Sequence, residues 1–182
     1  MTDSLHPPPS THLRFRQWTP HDVPLAYSLW GDPEVTRYFG GAMTEAAAKD
    51  RLQVELDRQQ DFGIQYWPMF LRDTGKFAGC AGLRPWRDDL AVREVGVHLA
   101  RSAWGRRLGE EAVRAVLAFG FGTLGLRAIT AGHGQAHTNS RALLQRLGFR
   151  YTHDELWSAA QIPCSFYELD RESLRTNDAQ GA

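Results

Sequence analysis

The chain has 182 residues, 42% hydrophobic and 23% charged, which suits one packed domain and excludes a disordered or fibrous chain. Basic and acidic residues both number 21, so the net charge is zero and no basic field argues for nucleic acid or an anionic membrane. No apolar run reaches membrane-spanning length and no basic-then-apolar leader opens the chain, so a cytoplasmic protein is expected.

Residues 1–12 hold three consecutive prolines and little to bury, and read as a disordered tail. Residues 13–175 form one domain, and 176–182 read as a second tail. Leu13-Arg14-Phe15-Arg16 alternates as a first strand. Thr19, Pro20 and Asp22 open a helix that carries Trp30. Gly31-Asp32-Pro33 stops it. Thr44 caps a second helix with Ala48, Leu52 and Leu56 down one side.

A meander follows. Residues 64–71 are a strand, Asp73-Thr74-Gly75-Lys76 a turn, and 77–83 the next strand. Residues 84–89 read as an exposed loop, in which Trp86 is a candidate pocket residue. Residues 92–100 form a third strand, with Glu94, Gly96 and His98 on one face and Val95, Val97 and Leu99 on the other. The pattern is helical over 107–121, and residues 128–131 are a short buried strand. Residues 140–147 form a helix that Gly148 stops. Two strands at 149–151 and 165–169 close the sheet. The order β-α-α-β-β-β-α-β-α-β-β is a mixed α/β (α+β) fold with an antiparallel meander.

The segment from Val95 to Ala112 carries most of the chemistry. A strand runs into Trp104-Gly105-Arg106-Arg107-Leu108-Gly109, and a helix begins. A helix N-terminus presents unpaired N–H groups and a positive dipole end to phosphate. Gly105 and Gly109 let the backbone approach a bulky anion, and Arg106 and Arg107 add charge. An ordinary strand-to-helix turn has the same spelling. In the downstream segment His137-Thr138-Asn139-Ser140, Asn139 or Ser140 can simply cap a helix.

Other spellings point elsewhere. Gly120-x-Gly122-x-x-Gly125 matches a dinucleotide fingerprint, but it ends a helix instead of opening one, so the nicotinamide oxidoreductase it would imply is the weakest reading. His133 and His137 stand four apart with no third ligand, so no metal is expected. Cys80 and Cys164 lie in apolar, strand-like stretches and read as reduced, buried thiols.

Taken together, Glu94-Val95-Gly96, Trp104-Gly105, Glu111-Ala112, Ser140 and Leu147-Gly148-Phe149, preceded by Asp32-Pro33-Glu34-Val35, resemble the GNAT acyl-CoA N-acyltransferases. Within them, they resemble the branch that includes N-terminal acetyltransferases of ribosomal proteins. The resemblance runs from Leu13 to Leu169. It implies a mostly antiparallel twisted sheet of six to seven strands flanked by about four helices.

The same resemblance implies acetyl transfer from acetyl-CoA to a primary amine by direct attack in a ternary complex, without metal. The amine is a protein N-terminus or a small molecule, and a homodimer is compatible. Glu94 would be the general base, directly or through water, unless it is only a strand carboxylate. Ser140 would meet the departing thiolate. Val97, His98 and Leu99 would pair with the pantetheine arm and polarise the thioester carbonyl. Trp104, Gly105, Arg106, Arg107, Leu108, Gly109 and Glu110 would hold phosphates, with His137, Asn139 and Leu144 completing the cofactor site.

The chain departs from the family pattern twice. Arg107 stands where the loop normally has Gly, which strains the backbone if φ is positive there. His137 stands where the motif has Asn. The alternative function is a non-catalytic acyl-CoA-binding sensor or scaffold, in which those two replacements mark a decayed site.

Overall fold

The computed structural model describes residues 5–157 and 162–173. The tail read at 176–182 and the first four residues lie outside them. Seven strands form one sheet in the order β1-β2-β3-β4-β5-β7-β6. They are β1 Leu13–Phe15, β2 Tyr66–Leu71, β3 Phe77–Trp86, β4 Asp89–Leu99, β5 Ala128–Gly134, β6 Arg150–Trp157 and β7 Ile162–Asp170. Every neighbouring pair is antiparallel except β4 with β5. The helices are α1 Val23–Trp30, α2 Pro33–Thr36, α3 Glu45–Phe62, α4 Leu108–Ala118 and α5 Thr138–Arg146.

Local chemistry sets the helix ends. The Asp32 carboxylate accepts from the N–H groups of Glu34 and Val35, which starts α2 after only Gly31 and Asp32 have followed α1. Thr44 Oγ accepts from Ala47 N–H at 3.2 Å, and Gly63 ends α3 at φ 67°. The single turn of α2 follows the expected stop so closely that apolar periodicity does not reveal it.

Two apolar layers cover the sheet. Val95 and Leu108, Val113, Val116, Leu144 and Leu147 of α4 and α5 fill one side, with Val97 and Leu99 packed against them. Trp18, Leu29, Trp30, Leu52, Tyr66 and Cys80 fill the other, beneath α1 and α3. The alternation of β4 therefore sends Val95, Val97 and Leu99 toward α4, and Glu94, Gly96 and His98 toward α1 and α3.

Three boundaries differ from the sequence reading. Residues 84–89 are not an exposed loop. Strand β3 continues to Trp86 and β4 starts at Asp89, leaving a tight hairpin with Arg87 at φ 49°. Helix α5 starts at Thr138 with His137 as its N-cap, so neither Asn139 nor Ser140 is the cap. In the segment read as a disordered tail, Ser10 Oγ and His12 N–H both donate to Glu111 Oε1 at 2.6 Å, tying residues 10–12 to α4.

Candidate active site

The parallel pair β4–β5 is joined only at its start. Its register is Val92↔Ala128, Arg93↔Ile129 and Glu94↔Thr130, and it goes no further. Beyond that point β4 pairs with β3 alone and β5 with β7 alone. The two strands thus splay apart from Val95 and Ala131 onward. Ala91 C=O accepts from Arg127 N–H, on the β5 side, whereas Ala100 N–H donates to Ala78 C=O, on the β3 side. Backbone groups alternate along a strand, so the amide groups of Val97 face the opening while those of His98 face β3. The Leu99 carbonyl is occupied by the Trp104 indole N–H at 3.0 Å. Of these three residues, Val97 turns both its backbone groups to the opening and Leu99 only its N–H.

Trp104-Gly105-Arg106-Arg107 leads from the end of β4 into α4. Gly105 has φ 73° and open space around it, as close approach of a ligand to the backbone requires. Arg107 is the N-cap of α4 in the left-handed region, at φ 57° and ψ 15°. Arg107 thus holds a conformation that favours glycine, at a cost of about 1–2 kcal/mol. Arg106 and Arg107 are exposed, whereas Leu108 and Leu144 are buried in the core.

Two acids in the first turn of α4 would oppose an anion there, and both are engaged. Glu110 receives Arg114 at 3.1 Å, Arg146 at 3.2 Å and Arg107 at 3.3 Å. Glu111 is taken by Ser10 and His12. The helix end keeps its dipole and its arginines without a free carboxylate beside them.

Across the sheet, Glu94 is 5% exposed and held by Arg84, its cross-strand partner. Arg84 Nε donates to Oε2 at 2.8 Å and Nη2 to Oε1 at 2.6 Å. Both carboxylate oxygens thus carry a guanidinium hydrogen bond. Tyr66 packs its hydroxyl against Gly96, where a Cβ would come within 2.2 Å of it. Burial pushes this phenol up to about 12, so it stays protonated at neutral pH.

His98 sits among aromatic rings. Phe39 stacks on it at 4.4 Å, and Trp30 Nε1–H donates to its Nδ1 at 3.0 Å. Indole is a donor only, so Nδ1 accepts and the ring proton lies on Nε2. Burial, then Arg51, Arg84 and His137, push the imidazole down to about 3, so it is neutral in the working range.

His137 is stacked under Tyr38 at 4.3 Å, with its ring held below the usual histidine range by burial and by His133 and Arg37. Ser140 is half-buried in the first turn of α5, and Asn139 is exposed. Tyr38 and Phe39, consecutive in the loop after α2, thus stack on two histidines, one at the N-cap of α5 and one in β4. Nothing in their spacing distinguishes them from core aromatics. Arg84 was equally hidden, because a residue read as loop has no strand partner to seek.

Residues 12–150 match the sequence model of the family described as "Acetyltransferase (GNAT) domain". The chain belongs to the GNAT acetyltransferase family. It is, by that membership, an acyl-CoA-dependent acetyltransferase. A protein described as "Uncharacterized N-acetyltransferase p20" from Bacillus licheniformis is 28% identical over 140 residues, covering 76% of this chain and 79% of that one. Among solved GNAT structures, the ribosomal L7/L12 alpha-N-protein acetyltransferase RimL, in complex with coenzyme A, superposes with a TM-score of 0.77. It does so at 14% identity, over 91% of this chain and 98% of that one. The aminoglycoside acetyltransferase AAC(6')-Ib, also with coenzyme A, superposes at 0.76 with 18% identity, over 91% and 99%. These two likenesses establish a shared GNAT fold.

Both cysteines of this GNAT chain are free and buried, and burial raises both thiols above their ordinary range. Neither is a thiolate nucleophile at neutral pH. His133 donates from Nδ1 to the Gly134 carbonyl at 2.9 Å, and no metal-holding cluster occurs among the described residues. Gly120 packs against Ile129 and Leu126, which explains one glycine of the dinucleotide-like spelling by packing.

Proposed function

We propose that this protein transfers the acetyl group of acetyl-CoA to a primary amine, a protein N-terminus or a small-molecule amine, by direct attack in a ternary complex. The observation that carries this reading is the splay between β4 and β5, directly beside a glycine-bearing, arginine-bearing turn into α4. An extended pantetheine arm fits as a strand-like partner of Val97, and phosphates fit the α4 N-terminus with Gly105, Arg106, Arg107 and Gly109. When bound, the co-substrate supplies an activated acetyl thioester.

The chain's own groups divide the remaining work. The amine arrives as ammonium, with a pKa of about 8 to 10, and must lose a proton. Glu94 takes it through a water, because Arg84 already holds both carboxylate oxygens. The Val97 N–H polarises the thioester carbonyl. Ser140 Oγ–H donates to the sulfur as the thiolate departs. Neutral His98 offers a fixed Nε2–H donor beside the reacting groups.

A thiol-release assay with acetyl-CoA, run over α-amino peptides and small amines, tests the reading. Amine-dependent thiol release with acetylated product is expected. Acetyl-CoA binding without turnover on any amine would establish a binding module instead.

A further inference from the structure

An amine reaches Glu94 from the side of the sheet that faces α1 and α3, because α4 and α5 fill the other. On that side Glu94 belongs to a larger cluster of charge. Glu55 of α3, fully buried, accepts from Tyr66 N–H at 2.8 Å and pairs with Arg51 at 2.6 Å and Arg58 at 3.0 Å. The Arg51 guanidinium stands 5.6 Å from the Tyr66 ring and 5.3 Å from the Trp30 ring. Tyr66 lies 5.7 Å from His98 and holds its hydroxyl at Gly96. Register puts Tyr66, Gly82 and Gly96 in one row across the sheet, with Arg84 and Glu94 in the next row of the same face, about 7 Å along the strands.

Three guanidiniums thus share this cluster with two carboxylates, which leaves a single positive charge over. The side chains of Arg51, Arg58 and Arg84 are 22%, 19% and 31% exposed, and those of Glu55 and Glu94 are 0% and 6%, so water screens the surplus weakly. Tyr66 and His98 do not offset it, since the phenol is protonated and the imidazole neutral at neutral pH. Around the cluster, Arg37 pairs with Glu34 and Arg87 with Glu155, and Glu168, two strands along, has Arg150 as its cross-strand neighbour. Arg51 commits Nη2 to Glu55, and Arg84 commits Nε and Nη2 to Glu94. The Nη1 group of each makes no hydrogen bond among the described residues and is not buried.

A surplus cation beside the reacting amine repels polycations, and a carboxylate carried by the acceptor neutralises it. Guanidinium groups suit carboxylates in geometry as well as in charge. We propose that the acceptor is a primary amine with a carboxylate close by in the same molecule, the carboxylate received by the Arg51 and Arg84 guanidiniums while the amine faces Glu94. This inference rests on the acetyl-transfer reading and narrows its substrate class.

Kinetics of the full chain at saturating acetyl-CoA, on matched probes, tests it. The probes are free amino acids against their carboxamides, peptides with Asp against Asn at the second residue, and spermidine and kanamycin as polycations. The carboxylate-bearing member of at least one pair should be favoured at least about tenfold in kcat/KM, with the polycations poorest. Whichever pair shows the preference tells whether the carboxylate belongs to a free amino acid or to a peptide. R51Q should reduce the preference to less than about threefold, and R51K, which keeps the charge, should retain most of it. The wild-type panel decides even where R51Q does not fold. Calorimetry with the same probes on the protein saturated with coenzyme A gives a second readout. If no amine releases thiol but the acids still bind tighter than the amides, the acetyl-transfer reading falls and the carboxylate preference stands. Equal values for acid and amide in every pair, a preference for the polycations, or a preference that folded R51Q leaves intact would each overturn the proposal.

Discussion

Glu94 and Arg84 are joined by two short hydrogen bonds, and this changes what a mutation at Glu94 measures. E94Q should lower turnover by about 10²-fold, within the range for a positioned base, and recover partly at high pH, where the amine arrives deprotonated. The same change weakens the hold on a partly buried guanidinium and should cost about 1–3 kcal/mol of stability. A stability loss with turnover reduced less than tenfold at every pH would show that the pair is structural. Ser140 is the cleaner case. It is not the cap of α5, so S140A should change stability by no more than about 0.5 kcal/mol. Turnover should fall at least about tenfold while acetyl-CoA affinity holds, as for a group acting in the transition state. Wild-type turnover would remove Ser140 from the chemistry. At Arg107, R107G exchanges left-handed strain against unfolded-chain freedom, for a net gain of about 0.5 kcal/mol. R107V, β-branched at positive φ, should lose more than about 1 kcal/mol. Thermal unfolding of the two variants checks that opposite sign.

At the scale of elements, β4 is built to be approached from both sides. Gly96 admits the Tyr66 hydroxyl on one face, and a methyl group there would meet it at 2.2 Å. G96A should therefore displace the ring, cost about 1–3 kcal/mol, and lower turnover with it, which unfolding and kinetics on one preparation would show. The strand itself was legible, because Glu94, Gly96 and His98 alternate with three apolar residues. So was the turn into α4, because glycines and arginines at a strand-to-helix junction have a physical meaning. The Arg84–Glu94 pair was not legible. It depends on register between β3 and β4, and register is set by the hairpin at Arg87, whose turn carries no strong sequence signal. The stacking of Tyr38 and Phe39 on His137 and His98 was hidden for a related reason. Those partners are distant in the chain and meet only after the layers close.

For the whole molecule, pH should act in part through His98. His98 titrates near 3 in the folded state against about 6.5 when unfolded. Between those values the unfolded chain binds the extra proton. The stability contribution is therefore complete above pH 6.5 and is lost as pH falls toward 3. Denaturant melts from pH 7 to pH 4 should show that decline, and H98Q should make it shallower. An unchanged slope would mean that His98 is hydrated in solution.

The splayed strands have a consequence for how this molecule meets its co-substrate. A sheet whose fourth neighbour relation, of six, is left half-made is a ladder with rungs missing, and the missing rungs face the Val97 amide. A ligand that supplies them completes the architecture as well as filling a groove. Acetyl-CoA should accordingly slow hydrogen exchange at Val97 and along the free edge of β5, as an added strand would. On the proposed function, the slot for the co-substrate is a stretch of unfinished backbone pairing, indifferent to most side-chain change.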